Sequence, residues 1–311
     1  MREKLKLDEK KIRKGRPIGL PYVGSKKKIA KKFVEIIKQN FGTDKTIYDL
    51  FGGGGAITLE CKLQGLNVVY NDVDPIPGQM MEKILSEDRE YLKTLICSRE
   101  EFFKIRDKKE KTIDDHLKLL INSFGNNNKD YLYSKKHSDV KYRLAKEIIE
   151  NHNCFAGYKQ TEAFKEFTKD KEKLKSLDWE NREEKHQGLR VMQRLQQLQR
   201  LQQLENIQNL EETMRFFSKD YKEFTDVKNS IIYLDPPYDN TIKKYKHNDL
   251  DYEEFYRWCK AVSKDNIVLI SGYIMPDDFE IVYEFKKAKS TMQGGYHDKK
   301  YEKLFMVKNG R

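Results

Sequence analysis

The sequence predicts an α/β fold that is interrupted by a helical insertion. Strand and helix patterns alternate near residues 46–71 and again from residue 230 onward, whereas the stretch between them has long helical patterns only. The apolar run at residues 230–234 is typical of a buried strand. With 311 residues the chain can bury a substantial core, either as one large domain with an insertion or as two domains.

The first α/β stretch is predicted to be a helix followed by a βαβ unit. The helix covers residues 28–39, where apolar residues recur at helical spacing: Ile29, Phe33, Ile36 and Ile37. The elements that follow are a strand at 46–50, a tight loop at 51–55, a helix at 56–64 capped by Gly65, and a strand at 67–71. A βαβ unit is the simplest interpretation of this order.

The second α/β stretch consists of a strand at 230–234, a helix at 252–262, a strand at 266–271 and a terminal strand at 303–307. We therefore predict three parts of the chain. Residues 1–16 are a charge-dense basic arm with little to bury, which we expect to be mobile. Residues 17–79 and 213–311 form the α/β domain, and residues 80–212 form the helical insertion.

The insertion contains a repeat in which an apolar residue recurs at every third position. The repeat comprises Leu195, Leu198, Leu201, Leu204, Ile207 and Leu210, with Gln or Glu at most positions between them. An α-helix has about 3.6 residues per turn, so each step rotates the apolar position by about 60° and disfavours a coiled-coil seam. A helix buried on several sides and a tighter turn-like ladder both stay open. We interpret residues 195–210 as a structural spacer, with an interaction role as the alternative.

The composition favours a polyanionic partner. Lys and Arg number 61 against 50 Asp and Glu, a formal net charge of +11. This excess favours nucleic acid, although a lysine-rich solvated surface would give the same total. Four cysteines lie far apart without a C-x-x-C motif, and the histidines form no ligand spacing with them, so we expect neither disulfide nor metal. No stretch is apolar enough to span a bilayer, and we expect a soluble, cytoplasmic protein.

A glycine loop and a carboxylate suggest a nucleoside cofactor. Phe51-Gly52-Gly53-Gly54-Gly55 follows a strand and opens a helix, so backbone N–H groups can approach a ligand closely. Asp72 ends the next strand about twenty residues later, where a nucleoside-binding α/β unit contacts ribose hydroxyls. The loop is not G-x-G-x-x-G and lacks a phosphate-binding lysine, which disfavours a dinucleotide or ATP. A simple glycine turn with a solvated Asp72 is the alternative.

The motif Asp235-Pro236-Pro237-Tyr238 directly follows the apolar strand at 230–234. Adenine N6 is a poor nucleophile because its lone pair is delocalised into the ring, and two acceptors on its N–H groups would activate it. Asp235 and the Pro236 carbonyl can supply them, while Tyr238 offers a face for stacking. Methyl transfer from a sulfonium then needs in-line placement, and a base in a duplex must first be extruded. The alternative is a Pro-Pro turn with Tyr238 in the core.

Four segments together resemble the ordered motifs of Dam-type (D12 class, α group) DNA adenine-N6 methyltransferases. They are Leu20-Pro21-Tyr22-Val23-Gly24-Ser25-Lys26, Asp49-Leu50-Phe51-Gly52-Gly53-Gly54, Asn71-Asp72 and Asp235-Pro236-Pro237-Tyr238. The resemblance covers nearly the whole chain. It implies a Rossmann-like methyltransferase sheet with an inserted helical target-recognition domain. It also implies S-adenosyl-L-methionine as the cofactor and double-stranded DNA as the substrate.

The resemblance further assigns site residues. Those expected at the cofactor are Tyr22, Gly24, Lys26, Phe51, Gly53, Asp72 and Asp235. Among them Lys26 is expected at the amino-acid end, Asp72 at the ribose, and Asp235 between cofactor and adenine. Pro236 and Tyr238 complete the predicted catalytic motif. By residue type alone, Lys26 could equally be one more solvated lysine.

The insertion and the loop after the catalytic motif supply candidate DNA contacts. The Asn-rich segment 122–133 departs from the pattern of GATC-reading relatives, so the resemblance does not imply GATC. Amides suit adenine edges, cations suit guanine edges or phosphate, and tyrosines stack. The loop 239–249 is expected to be a mobile lid or a phosphate clamp. The candidates are Asn126, Asn127, Lys129, Tyr131, Tyr133, Lys243, Lys244 and Lys246, with ordinary polar loops as the alternative.

The sequence therefore predicts a site-specific methyltransferase that acts on N6 of a flipped adenine in duplex DNA. One alternative is the same chemistry on cytosine N4 or RNA adenine; Asp235 favours adenine because cytosine enzymes more often carry Ser there. Another is a DNA-binding module without catalysis, which the intact Asp72 and Asp235 disfavour. Restriction-modification, gene regulation and service to a mobile element are all compatible with this chemistry.

Overall fold

A computed structural model of the protein describes residues 3–22, 24–151, 195–210, 214–237, 250–285 and 301–308. The chain divides into two compact units. Unit 1 comprises Met1–Glu82 and Leu210–Arg311, and unit 2 comprises Lys83–Asn209. The assignment of these units to catalysis and to target recognition stays a prediction.

Unit 1 is built on a seven-stranded sheet in the described part of the chain. Its strands are β1 (Ile47–Asp49), β2 (Val68–Asn71), β3 (Phe216–Phe217), β4 (Ile231–Leu234), β5 (Ile267–Gly272), β6 (Phe279–Glu284) and β7 (Lys303–Val307). The spatial order is β3-β2-β1-β4-β5-β7-β6. The first five strands of this order are parallel, whereas β7 is antiparallel to both β5 and β6. The Rossmann-like α/β class predicted from the sequence is confirmed.

The α-helices of the described chain occur in both units. They are α1 (Lys27–Phe41), α2 (Ala56–Leu63), α3 (Pro75–Ser86), α4 (Arg89–Lys93), α5 (Arg99–Arg106), α6 (Ile113–Asn122), α7 (Lys135–Asn151), α8 (Gln196–Gln208) and α9 (Tyr252–Val262). Helix and strand boundaries predicted from the sequence agree with these to within two residues, but β3 and β6 were not predicted. No helix within the described ranges is long and apolar enough to cross a membrane.

Helices cover both faces of the sheet, and the central strand β4 is accordingly apolar on both sides. Ile231 and Tyr233 pack in one cluster with α1 and α2. Ile232 and Leu234 point the other way and pack with α9. A strand whose consecutive side chains are all buried fits the centre of a parallel sheet, and β4 lies between β1 and β5.

The strand order reverses between β1 and β4, and this reversal positions the candidate site. The chain proceeds from β1 to β2 and β3 in one direction, and from β4 to β5 in the other. Loops that leave β1 and β4 therefore diverge and open a crevice at the carboxyl edge of the sheet, where ligands of doubly wound folds bind. The glycine loop follows β1 and Asp235 follows β4, so both predicted motifs lie at this edge.

Residues 3–16, predicted to be a mobile arm with little to bury, are instead docked on unit 1. The amide of Leu5 donates to the Val282 carbonyl at 2.9 Å, and that of Lys6 to Asn40 Oδ1 at 2.9 Å. Arg13 forms a bidentate pair with Glu60, with Nε to Oε1 at 2.7 Å and Nη2 to Oε2 at 2.9 Å. The composition is misleading here because a few hydrogen bonds, together with Leu5 and Leu7 packed against the core, are enough to hold the segment.

The central part of the Leu-x-x repeat, from Leu198 to Ile207, lies in helix α8 in unit 2. Its apolar positions are buried, and so are the polar residues Gln197 and Arg200. The repeat is thus a helix buried on several sides, one of the two forms left open, because a period of three spreads the apolar positions around a 3.6-residue turn. The buried polar residues Gln197 and Arg200 donate hydrogen bonds to neighbouring parts of unit 2.

We expect Arg13→Ala to lower the free energy of unfolding by about 2–3 kcal/mol, because it strands the fully buried carboxylate of Glu60 without its cation. Urea unfolding at pH 7 measures this. Adding Glu60→Gln should recover a large part of the loss, and the exposed control Lys14→Ala should change little. Equal losses in the single and double variants would contradict the assignment.

Candidate functional site

The glycine loop is closed against the end of β2. The amide of Gly53 donates to Asp72 Oδ2 at 2.8 Å, and the amide of Asp74 donates to Asp72 Oδ1 at 2.9 Å. The Tyr70 hydroxyl donates to the Gly53 carbonyl at 2.8 Å. The structure thus brings Gly53 and Asp72 together, but this amide points at Asp72, whereas the sequence suggested loop amides aimed at a ligand.

Two glycines of the loop are required by neighbouring aromatic rings. A Cβ on Gly52 would lie 2.2 Å from Tyr70 Cε2, and a Cβ on Gly54 would lie 2.5 Å from Tyr22 Cβ. No side chain fits at these distances, so only glycine lets Tyr22 and Tyr70 pack against the loop. Gly53 adopts a φ of +46°, which also favours glycine. Tyr22, predicted at the cofactor, therefore lies directly on the loop.

Asp235 is part of an ion-pair cluster at the carboxyl edge. Lys26 Nζ lies 2.8 Å from Asp235 Oδ1 and 2.7 Å from Glu302 Oε1. The three side chains keep only 11%, 16% and 10% of their exposure for Lys26, Asp235 and Glu302. Lys26, expected at the amino-acid end of the cofactor, thus contacts the predicted catalytic carboxylate.

Glu302 reaches this cluster because β7 runs antiparallel to its neighbour β5. The start of β7 therefore lies at the edge where β4 and β5 end, and Glu302 immediately precedes β7. Ser271 Oγ donates to Glu302 Oε1 at 3.0 Å, and the Tyr233 hydroxyl donates to Ser271 Oγ at 3.0 Å. A hydrogen-bonded chain thus connects the buried core of β4 to the Lys26 ammonium.

Asp49, the last residue of β1, is a buried carboxylate beside the same edge. Thr58 Oγ1 donates to its Oδ2 at 2.7 Å, whereas its Oδ1 has no hydrogen-bond partner in the described part of the chain. Burial raises the pKa of Asp49 to about 7, with smaller contributions from the charges of Asp235 and Asp72. The charges of Asp235 and Asp72 thus act on the Asp49 carboxyl in the same direction as its burial.

The remaining predicted site residues lie nearby or outside the described chain. Pro236 is buried, and the Pro237 carbonyl accepts a hydrogen bond from the Tyr252 hydroxyl, which fixes the backbone after Asp235. Phe51 stacks on Tyr221 with ring centroids 5.9 Å apart. Gly24 adopts a φ of +77° just before Lys26. Tyr238, Lys243, Lys244 and Lys246 lie outside the described residues.

The carboxylates at this edge of the sheet fit a cationic nucleoside ligand. Asp72 and Asp235 bring negative charge to this edge, and Lys26 pairs with Asp235 there. Asp72 accepts from two loop amides, and a carboxylate can accept up to about four hydrogen bonds. No group of three or more His, Cys, Asp or Glu within the described ranges could hold a metal ion.

In unit 2 the Asn-rich segment forms a hairpin, which we define as residues 122–132. The amide of Phe124 donates to the Asp130 carbonyl at 2.6 Å, and that of Leu132 donates to the Asn122 carbonyl at 2.7 Å. At the tip, Phe124 is 63% exposed. Asn127 Oδ1 accepts from the Lys129 amide at 2.8 Å, so Asn127 folds the turn.

Helix α8 holds this hairpin through Arg200. Its Nη1 donates to the carbonyls of Leu120, Ile121 and Ser123 at 2.9, 2.9 and 2.8 Å. Its Nη2 donates to Asn126 Oδ1 at 2.7 Å, where Asn126 has the unusual φ of +58°. Burial lowers the pKa of Arg200 to about 10, so the guanidinium stays charged at neutral pH. Asn126 therefore has a structural partner within unit 2.

Tyr131 and Tyr133, predicted to contact DNA, are core residues. They keep 5% and 6% of their exposure and pack in a cluster with Phe102 and Leu119. The Tyr131 hydroxyl donates to the Cys97 carbonyl at 2.9 Å. Unit 2 already covers both rings, which does not favour their predicted stacking on bases. Asn127 and Lys129 are exposed, as a DNA contact requires.

Sequence reasoning missed Glu302 entirely. It lies in a charge-rich stretch without motif spacing, but Leu304 and Met306 at the following alternate positions belong to the core cluster that includes α1. A strand places residues i, i+2 and i+4 on one face, so Glu302 points to the side where Lys26 opens α1. The sequence did contain one indication of Glu302: an acidic residue that alternates with buried apolar residues in the same strand pattern.

One comparison with known proteins gives a match. The model of a family described as D12 class N6 adenine-specific DNA methyltransferase matches residues 22–285, more than half of the chain. The match includes the glycine loop, Asp72 and Asp235, and it ends before Glu302. No curated protein matches the chain.

We expect Asp49→Asn to remove a pH dependence of stability. The pKa of Asp49 is raised from 3.8 to about 7, so the protonated form is favoured in the native state and stability is lost as pH rises through this window. Between about pH 4 and 8 the variant should gain up to about 4 kcal/mol relative to the natural protein. Urea unfolding across this range measures it, with the exposed Asp44→Asn as control. Parallel curves for all three proteins would contradict the prediction.

Proposed function

The chain belongs to the D12 class of N6 adenine-specific DNA methyltransferases, and we propose that it methylates a flipped adenine at a specific site in duplex DNA. Membership makes it an S-adenosylmethionine-dependent enzyme that acts on adenine in DNA, in preference to the cytosine, RNA and non-catalytic alternatives. The single observation that carries the proposal for the site is Asp235, held by Lys26 at the carboxyl edge beside the glycine loop.

We assign Asp235 the role of acceptor for the adenine amine. Its side chain keeps 16% exposure at the edge, enough for contact with a ligand. A carboxylate has several acceptor positions, so a carboxylate that pairs with an ammonium can also accept from an amine. The Pro236 carbonyl is the second proposed acceptor, and the hydrogen bond from Tyr252 to the next carbonyl supports this backbone. Tyr238 is proposed as the stacking partner of the base.

The cofactor, S-adenosylmethionine, supplies an electrophilic methyl group when bound. We propose that Asp72 accepts from the ribose hydroxyls and that Tyr22, Gly24, Phe51 and Gly53 line the pocket. The Tyr22 ring against the loop and the αL backbone of Gly53 support this assignment. The clustered carboxylates favour a cationic donor electrostatically.

We propose that the hairpin tip of unit 2 contributes to the choice of site. Its exposed residues combine an aromatic ring, an amide and a cation in Phe124, Asn127 and Lys129. Amides and cations contact base edges and phosphates, and an exposed ring can fill the space that an extruded base leaves. Extrusion costs a few kcal/mol, which these contacts and the stacking of the flipped base offset.

We expect Asp235→Ala to reduce methyl transfer by about 10²–10³-fold or more, because one of two activating acceptors is lost. Transfer of a labelled methyl group to duplex DNA, with separation of the product nucleosides, measures it. The control Asp278→Ala removes an exposed carboxylate of unit 1 that pairs with Lys260, and it should leave the rate unchanged. Retained turnover in Asp235→Ala, or 4-methylcytosine as the product, would refute the proposal.

We expect Lys129→Ala to weaken DNA binding and to make its salt dependence less steep by about 1 in the log-log slope, because one phosphate contact is lost. Binding to duplex DNA at several salt concentrations measures this. Lys104→Ala is the matched control in unit 2, since that lysine is paired with Glu100 at 2.7 Å. The same slope for Lys129→Ala as for the natural protein would exclude a phosphate contact.

A further inference from the structure

We propose that Glu302 is a positioning residue for methyl transfer. By sharing the ammonium of Lys26 with Asp235, it fixes Lys26 at one oxygen of Asp235 and keeps that carboxylate able to accept from the adenine amine. The inference rests on the proposed role of Asp235. It concerns a residue beyond the matched family region, which ends at residue 285.

The geometry is that of a bridging cation. Lys26 Nζ lies at nearly the same distance from the two carboxylates, 2.8 Å from Asp235 Oδ1 and 2.7 Å from Glu302 Oε1. Both are charge-assisted hydrogen bonds of ordinary length. An ammonium has three donors, and here two of them have fixed carboxylate partners. The position of Lys26 is therefore defined by both carboxylates together.

Glu302 is itself held firmly, as a positioning residue must be. Its Oε1 accepts from Ser271 Oγ at 3.0 Å, and Ser271 Oγ accepts from the Tyr233 hydroxyl at 3.0 Å. Its carbonyl accepts from the Phe285 amide at 2.9 Å, which ties the start of β7 to the end of β6. The Tyr233 ring packs 4.4 Å from that of Phe33 in the core. Rigid elements therefore fix the carboxylate that orients Lys26.

Charge gives the reason why a second carboxylate is needed. With Asp235 alone, the largely buried ammonium of Lys26 would turn wholly to that carboxylate and occupy more of its acceptor capacity. The pair would also be neutral. With Glu302 the three groups sum to one negative charge, which favours the positive charge that develops on N6 during transfer. Neutralising Glu302 should therefore slow the chemical step more than it weakens cofactor binding.

The test compares Glu302→Gln, which removes the charge and keeps the shape, with Glu284→Gln. Glu284 ends β6 opposite Lys303 in the same hairpin and serves as the matched control. We expect Glu302→Gln to lower the single-turnover rate at least about tenfold, with less than about a threefold change in the KM for S-adenosylmethionine. Glu284→Gln should match the natural protein. An unchanged rate in Glu302→Gln overturns the proposal.

A double-mutant cycle shows whether Glu302 acts through Lys26. In a Lys26→Met background, Glu302→Gln should cause no further loss of rate, because the group that it positions is absent. The same fold-loss in both backgrounds overturns the proposal. Ser271→Ala keeps the three charged groups and removes only the hydrogen bond to Glu302. It should also lower the rate, by a smaller factor than Glu302→Gln. An unchanged rate in Ser271→Ala would count against a role of that hydrogen bond.

The outcome is separable from that of the proposed function. If Asp235→Ala abolishes transfer while Glu302→Gln is fully active, only the inference about Glu302 fails. If Asp235→Ala stays active, the proposed function of the site fails first. Circular dichroism and urea unfolding of each variant show that the rates refer to folded protein.

Discussion

The interaction on which the site depends is the ammonium of Lys26 between two carboxylates. It joins three segments that are far apart in sequence: the start of α1, the residue after β4 and the residue before β7. The start of α1 lies at the edge where β4 ends, and the antiparallel β7 brings Glu302 back to the same edge. Because the cluster is largely buried, each member needs the others, and removal of one would leave an uncompensated charge.

The fold was predictable where apolar patterning is strong. Strand β4, helix α1 and helix α9 have apolar runs or helical spacing that few other structures accommodate, and their boundaries agree with the structure. Strand β3 has only two residues, too few to show a pattern. Strand β6 contains Glu280 and Glu284, which interrupt its apolar pattern. The N-terminal segment 3–16 is docked by specific hydrogen bonds that composition does not report.

The site was predictable in its motifs and less so in its partners. Gly53, Asp72 and Asp235 lie at one edge because motif spacing encodes the ends of strands in a parallel sheet. Lys26 and Glu302 meet only through strand order, which sequence spacing does not contain. In unit 2, residue type suggested that tyrosines of the segment 122–133 stack on bases, but their rings pack in the core. The buried Arg200 of the leucine repeat, whose bonds shape the hairpin, lay in a stretch that looked like a spacer.

The central claim is that Asp235 accepts from the amine of the target adenine. A double-mutant cycle that combines a substitution in the protein with one in the DNA tests it most directly. The DNA is the duplex sequence in which the methylated product is found. Replacing the target adenine by purine, which lacks the amine, should weaken binding to the natural protein and have little effect on binding to Asp235→Ala. An equal loss of affinity in both proteins would show that the amine is held elsewhere and would contradict the account.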